Sequence, residues 1–197
     1  MDNIVSPKLI CVEGKDEVNF FSALLTNLGI INVQIFDFEG KSNYKSKISA
    51  LINMQGFESV EFFVLIRDAD ENPPDSAFTS LVSILGSVGL PQPALDQKFS
   101  TGIPQVGIFI MPGDGQSGAL EDLCLDSIQF SEHFSCVEEY FDCIDTELSH
   151  PSKAKVLCYL AGKDPYSNSL GLAALKGHWD FSNDSFNDLI IFLKYLQ

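Results

Sequence analysis

The stretch LICVEGKDEVNFFSALL, residues 9–25, decides how the chain is read. An apolar run ends in Glu13, passes a single glycine and two more acids, and turns at once into residues with helical spacing, Val18, Phe21, Leu24, Leu25 and Leu28. A carboxylate at a Gly turn closing a strand adds nothing to a core. It is well placed to hold a ligand, provided that matching acids stand at the ends of other strands.

Working outward, strand and helix alternate. KLICV (8–12) is a strand, and the helix after it stops at Gly29. VQIFDF (33–38) is a second strand, followed by a helix that places Tyr44, Ile48, Leu51 and Ile52 on one face and closes on Gly56. VEFFVLIR (60–67) is too continuously apolar for an exposed edge. After DADENPPD comes a helix with Phe78, Leu81, Val82 and Leu85, for which Asp75 is the expected N-cap. VGIFIM (106–111) is the fourth strand, and PGDGQSG leads into the helix ALEDLCLDSI (119–128). Beyond it CVEEYFDCIDTEL, SKAKVLCYLA and FNDLIIFLKYL are helical. The expected fold is α/β, a central, mostly parallel four-stranded sheet flanked by helices, with residues 1–128 as the core and 129–197 as a helical C-terminal extension packed on the same domain.

Composition narrows the possibilities. At 197 residues and 45% hydrophobic, the chain is the size of one ordinary domain. Apolar runs such as FFVLI fall far short of the roughly 20 residues of a membrane span, and no signal-like segment is evident, so a cytoplasmic protein without membrane attachment is expected. Five cysteines form an odd set without a C-x-x-C pair, which reads as reduced core thiols. A net charge of −15, with a single arginine, Arg67, opposes unaided binding of nucleic acid.

In a parallel sheet the ligand lies beyond the carboxyl ends of the strands. Glu13 follows the first strand, Asp68 and Asp70 the third, and Asp114, Glu121 and Asp122 the fourth, with Asp37 and Glu39 as weaker candidates after the second. Acids gathered at one edge repel one another unless a cation neutralises them, and hard oxygen ligands suit Mg²⁺ or Mn²⁺. Strand alternation in IRDAD sends Asp68 and Asp70 to one side, to share one ion or bridge two roughly 4 Å apart, as in phosphodiester hydrolysis. A capped turn ahead of a helix is the structural alternative for DAD.

These residues resemble a known family. VEGKDE, IRDAD and SGALEDL, in that order, are similar to the Toprim domain, and specifically to the stand-alone Toprim-like proteins grouped as DUF3226 and related to OLD-family nucleases. KAKVLCYLAG and LKGHWDFSNDSFNDLIIFL extend the resemblance over nearly the whole chain. It implies a general acid/base or metal role for Glu13 and metal binding by Asp68 and Asp70. It further implies metal binding by Glu121 with Asp122 beside it, and a basic, positively charged catalytic residue at Lys153, with Lys155 as the neighbouring choice. No G-x-x-x-x-G-K-[ST] occurs in these residues, so a nucleotide-driven step needs a partner such as an ATPase.

Other residues have two readings. Gly14 and Lys15 are candidate contacts to a substrate phosphate, or simply open a solvated helix. KSNYKSK, with Lys41, Lys45 and Lys47 around Tyr44, reads as a solvated helix face, or as a track for a phosphate backbone. GDGQSG reads as a loop carrying the helix of Glu121, Trp179 as a core anchor, and the three histidines lack metal-ligand spacing. The leading expectation is Mg²⁺- or Mn²⁺-dependent phosphodiester hydrolysis in nucleic acid, with an ATPase-type protein or a second copy as further partner. The alternatives are a non-catalytic acidic metal- or partner-binding module and an aspartyl-nucleophile phosphatase.

Overall fold

The computed structural model describes residues 3–144 and 147–197. Four strands, β1 (Lys8–Val12), β2 (Val33–Asp37), β3 (Phe62–Asp68) and β4 (Gln105–Met111), form one sheet in the order β2-β1-β3-β4. All neighbouring pairs are parallel, so the expected mostly parallel sheet is wholly parallel. The helices are α1 (Lys15–Leu28), α2 (Tyr44–Leu51), α3 (Pro74–Ser87), α4 (Leu120–Ile128), α5 (Phe134–Ile144), α6 (Pro151–Ala161), α7 (Leu170–Leu175) and α8 (Asn187–Lys194). None of the described helices is long and apolar enough to cross a membrane.

The sheet is buried on both faces, which explains its near-continuous apolar strands. Alternate residues go to opposite layers. Ile10, Val12, Val64, Ile66, Phe109 and Met111 join a cluster with α1 and the helices from α4 onward. Leu9, Cys11, Phe63, Leu65, Ile108 and Ile110 join a second cluster with α2 and α3. The helices after residue 128 therefore share one apolar layer with α1, and Trp179 anchors there, its indole N–H donating to the Leu170 carbonyl at 2.9 Å.

The strand order reverses between β1 and β3. The chain leaves β1 for β2 on one side, crosses back, and lays β3 and then β4 on the other side. That reversal opens a crevice beyond the carboxyl ends of β1 and β3. Glu13 and Asp68 stand beside it.

The outer edge of β4 is covered. Asp96 Oδ1 accepts from the Ile110 N–H at 3.0 Å, Gln97 N–H donates to the Ile108 carbonyl, and Ser100 N–H donates to Val106. An edge so occupied cannot pair with another strand.

The C-terminal helices are tied to the start of α1. Asp16, in the first turn of α1, accepts from the Leu170 N–H at 3.0 Å and the Gly171 N–H at 2.8 Å, filling two of the donors that open α7. A Cβ on Gly171 would lie 2.1 Å from the Asp16 carbonyl oxygen, so no larger residue allows this approach.

Three expectations need correction. Asp75 is not the N-cap of α3: the helix begins at Pro74 with Pro73 as cap, proline fixing the entry φ, and Asp75 falls in its first turn. The second helix closes at Leu51, and Gly56, with φ 100°, belongs to a later turn. The cysteines are not all core thiols: Cys11 and Cys124 are buried, while Cys136 and Cys143 on α5 are exposed. The expected helix over 136–148 is observed to Ile144, and its next two residues lie outside those described.

Two outcomes follow for stability. Gly171→Ala should cost about 3 kcal/mol by overpacking, seen as a lower urea midpoint at unchanged m-value. Burial raises the Asp96 carboxyl from 3.8 to about 6, against the lowering effect of the Ile110 and Gln97 N–H groups. The folded state holds that proton more tightly than the unfolded chain, so its stabilising effect is complete below pH 3.8 and lost as pH rises through about 6. Stability should fall by about 1–2 kcal/mol between pH 4 and 7 from this partly solvent-screened group, and Asp96→Asn should remove that dependence.

Candidate functional site

The backbone N–H of Asp68, the last residue of β3, lies beyond the end of β1. Glu13 Oε1 accepts from it at 3.2 Å, continuing the ladder with a side chain where the strand has ended. Glu13's own carbonyl accepts from the Gly40 N–H at 2.7 Å, so the ends of β1, β2 and β3 are joined through one residue. On the far side Arg67 brings Nε to 3.9 Å from Glu13 Oε1. Its guanidinium stacks over the Tyr44 ring at 5.9 Å and reaches Ser80 Oγ at 3.3 Å.

Beyond this junction lies an open groove of about 750 Å³. Glu17, Asp68, Asp70, Glu121 and Asp122 line it, together with Lys41, Lys153 and the Ser149–Ser152 turn. Glu13, Gly14 and Lys15 are not among the lining residues. Glu13 stands behind the wall, while Gly14 and Lys15 serve as cap and first residue of α1.

Asp70 reaches the groove by a route that strand alternation does not describe. Strand β3 ends at Asp68, and Asp70 adopts φ 56° with its N–H donating 2.8 Å to the Gly118 carbonyl. Gly118 has φ 139°, and a Cβ there would come within 2.7 Å of Asp122 Oδ2, so only glycine fits between the two acid-bearing loops. The Asp70 carboxylate then turns to Lys41 Nζ at 2.6 Å.

Glu121 stands in the first turn of α4 and pairs with Lys153 Nζ at 2.9 Å. Asp122 is differently employed: one oxygen accepts from the Ala119 N–H that opens α4, the other from Ser152 Oγ at 2.5 Å. It pins α4 to α6. Lys155 is drawn off to Glu138 at 2.7 Å, and Asp114 lies beside Asp188, outside the groove lining. Asp37 accepts from the Glu39 N–H, and Glu39 holds Lys47.

Charge accumulates on Asp68. Burial raises its carboxyl well above the ordinary range, and Glu13, Glu17, Glu121 and Asp70 press it higher. Burial also raises Glu13, opposed by the Asp68 N–H and Arg67, and it raises Glu17, with Asp16, Glu121 and Asp37 adding to the effect. Like charges held together resist ionisation until a cation joins them. The donor set is all hard oxygen, which fits Mg²⁺ or Mn²⁺ in chemistry. In position it is still open: among the described residues no three acids, histidines or cysteines converge at ligand spacing.

Sequence reasoning missed Glu17 and Arg67, and left Lys41 between two readings, a solvated helix face and a contact to a phosphate backbone. Glu17 reads as an ordinary acid in a first helical turn. Its signal was position, one turn from a strand's carboxyl end. Lys41 looked like part of a solvated helix face, yet it precedes α2 and enters the groove, while Tyr44 is fully buried with its hydroxyl donating to the Ile66 carbonyl.

Comparison with known proteins gives a family and a fold. The family described as a protein of unknown function, DUF3226, matches residues 7–197. The crystal structure of a hypothetical protein from Pyrococcus horikoshii OT3 is similar at TM-score 0.60 and 19% identity, over 96% of this chain and 94% of that one. The C-terminal region of the Burkholderia pseudomallei OLD protein is similar at TM-score 0.43 and 14% identity, over 96% and 88%. No curated protein matches the chain.

Asp68→Asn should stabilise the fold. An acid whose folded-state pKa is raised loses its contribution as pH rises above the unfolded value, so the gain should be on the order of 1 kcal/mol at pH 7.5. It should shrink to a small remainder near pH 3, where the carboxyl is largely protonated in both states, as read by urea unfolding at the two pH values.

Proposed function

The chain belongs to the DUF3226 family, and from its site we propose that it is a Toprim-like, OLD-related nuclease that hydrolyses phosphodiester bonds in nucleic acid with Mg²⁺ or Mn²⁺. The observation that carries the reading is the gathering of Glu17, Asp68, Asp70 and Glu121 at one groove beyond the strand ends, where the charges of the other three oppose ionisation of Asp68. The motifs VEGKDE, IRDAD and SGALEDL support the same reading.

Those four acids would hold the cation. When bound, it supplies charge to the phosphoryl oxygens as negative charge develops there. Glu13 fixes the backbone of Asp68 and so the bearing of its carboxylate. The Lys153 side chain lies in the groove wall, 57% exposed, where its ammonium can face the phosphate. The net charge of −15 works against encounter with a polyanion, and a partner, either an ATPase-type protein or a second copy, would supply the grip.

The opposing ion pairs favour a second reading. Lys41 and Lys153 already hold Asp70 and Glu121, as they would in a module that binds a partner and turns over nothing.

Supercoiled plasmid and end-labelled single strands, incubated with Mg²⁺, Mn²⁺ or EDTA, test the proposal. Metal-dependent cutting reduced about 10²-fold or more in Asp68→Asn is expected. Metal binding without turnover of any phosphate ester supports the binding module, and hydrolysis of a chromogenic phosphate monoester alone supports a phosphatase.

A further inference from the structure

Lys41 occupies a different environment from the neighbouring lysines. Lys47, on α2, is committed to Glu39 outside the groove. Lys41 stands immediately after Gly40, whose N–H is bound to the Glu13 carbonyl at 2.7 Å, and Asn43 ties the same turn through its N–H to Gly40 and its amide to Glu39. The backbone of Lys41 is thereby fixed to the strand junction that carries Glu13. Its side chain is 53% exposed, lines the groove, and makes its ion pair with Asp70 Oδ2 at 2.6 Å. Asp70 in turn is held by the φ 56° turn and the bridge to Gly118, so the pair joins two anchored backbones.

We infer that Lys41 is a substrate-phosphate-binding residue held in reserve: in the cation-free protein it neutralises Asp70, and a divalent cation taking Asp70 releases its ammonium to a phosphate in the same groove. The inference rests on the function proposed above. A lysine suits such an exchange because its ammonium is a compact point charge on a flexible stem, able to swing between a carboxylate and a phosphate without rebuilding a planar fork. The exchange costs little because an exposed ion pair is worth little. It also answers in part the problem of net charge, since a cation taking Asp70 returns one positive group, Lys41, to the face that meets the polyanion.

A spectator ion pair would leave metal and phosphate binding unchanged when broken, and a merely structural one would weaken both. An exchanging lysine moves them in opposite directions. The experiment compares wild type with Lys41→Gln and, as a control for the loss of one positive charge elsewhere on the same segment, Lys45→Gln. Mn²⁺ affinity is measured by calorimetry, and binding of a labelled single-stranded oligonucleotide in Ca²⁺ is measured by anisotropy over a range of salt.

Lys41→Gln should bind Mn²⁺ about threefold more tightly than Lys45→Gln, because a competitor for Asp70 is gone. Its oligonucleotide binding should be weaker, with the log–log salt slope shallower by about 0.7, the loss of one phosphate contact on a single strand. Equal Mn²⁺ affinity in the two variants, or an unchanged salt slope in Lys41→Gln, overturns the inference while leaving metal-dependent cleavage to stand on its own test. Absence of Mn²⁺ binding in all three proteins overturns both.

Discussion

The Asp68 N–H has no strand carbonyl in front of it, because β1 ends before β3 does. Glu13 fills that place with a carboxylate, and the rest of the site is arranged around this single hydrogen bond. It fixes the ends of β1 and β3 relative to each other. Through the Glu13 carbonyl and Gly40 it also fixes where the chain leaves β2, and hence where Lys41 starts. Arg67 adds a counter-charge from the α3 side, held in place by the Tyr44 ring and Ser80. A side chain completing a strand ladder is a weak element alone, yet here it sets the spacing of three loops.

The site is built against stability. Burying Asp68 beside four other acids raises the free energy of its charged form, and no core interaction nearby requires that carboxylate. Two helices contribute to the same accumulation, Glu17 from α1 and Glu121 from α4. Lys41 and Lys153 relieve part of it from the solvent side, where ion pairs hold least strongly. Local rules are broken together in one crevice and kept almost everywhere else, which is the pattern expected of a functional site. The remainder of the sheet obeys its alternation strictly, residue by residue, into two apolar layers.

The fold was legible because its strands are short, apolar and punctuated by glycine. The strand LICV, the stop at Gly29 and the acid-bearing ends of β1, β3 and β4 all follow from period and turn chemistry. Helix α7 was not legible: six residues of LGLAAL carry too little periodicity, and its entry is fixed by Asp16, far away in sequence. Within the site the strand-end acids could be named but not assigned. Alternation placed Asp68 and Asp70 on one side, whereas the left-handed turn at Asp70 is set by Gly118 in another loop. Asp122 reads as a ligand because it adjoins Glu121, and only its bonds with Ala119 and Ser152 show that it also clamps α4 to α6. Glu17 and Lys41 each required knowing which way a helix or turn faces, information that long-range contacts supply.

The tie from Asp16 to the amides of Leu170 and Gly171 spans 154 and 155 positions in sequence. Asp16 adjoins Glu17, so the first turn of α1 acquires its final setting only when a segment far along the chain has docked against it. Contacts of such separation are slow to close and come late in folding. A chain that has paired β1 with β3 but not yet docked α7 has the opening of α1 unanchored. The acidic crevice is therefore completed only when α7 has docked on the first turn of α1, after the sheet whose strand ends carry Asp68 has formed.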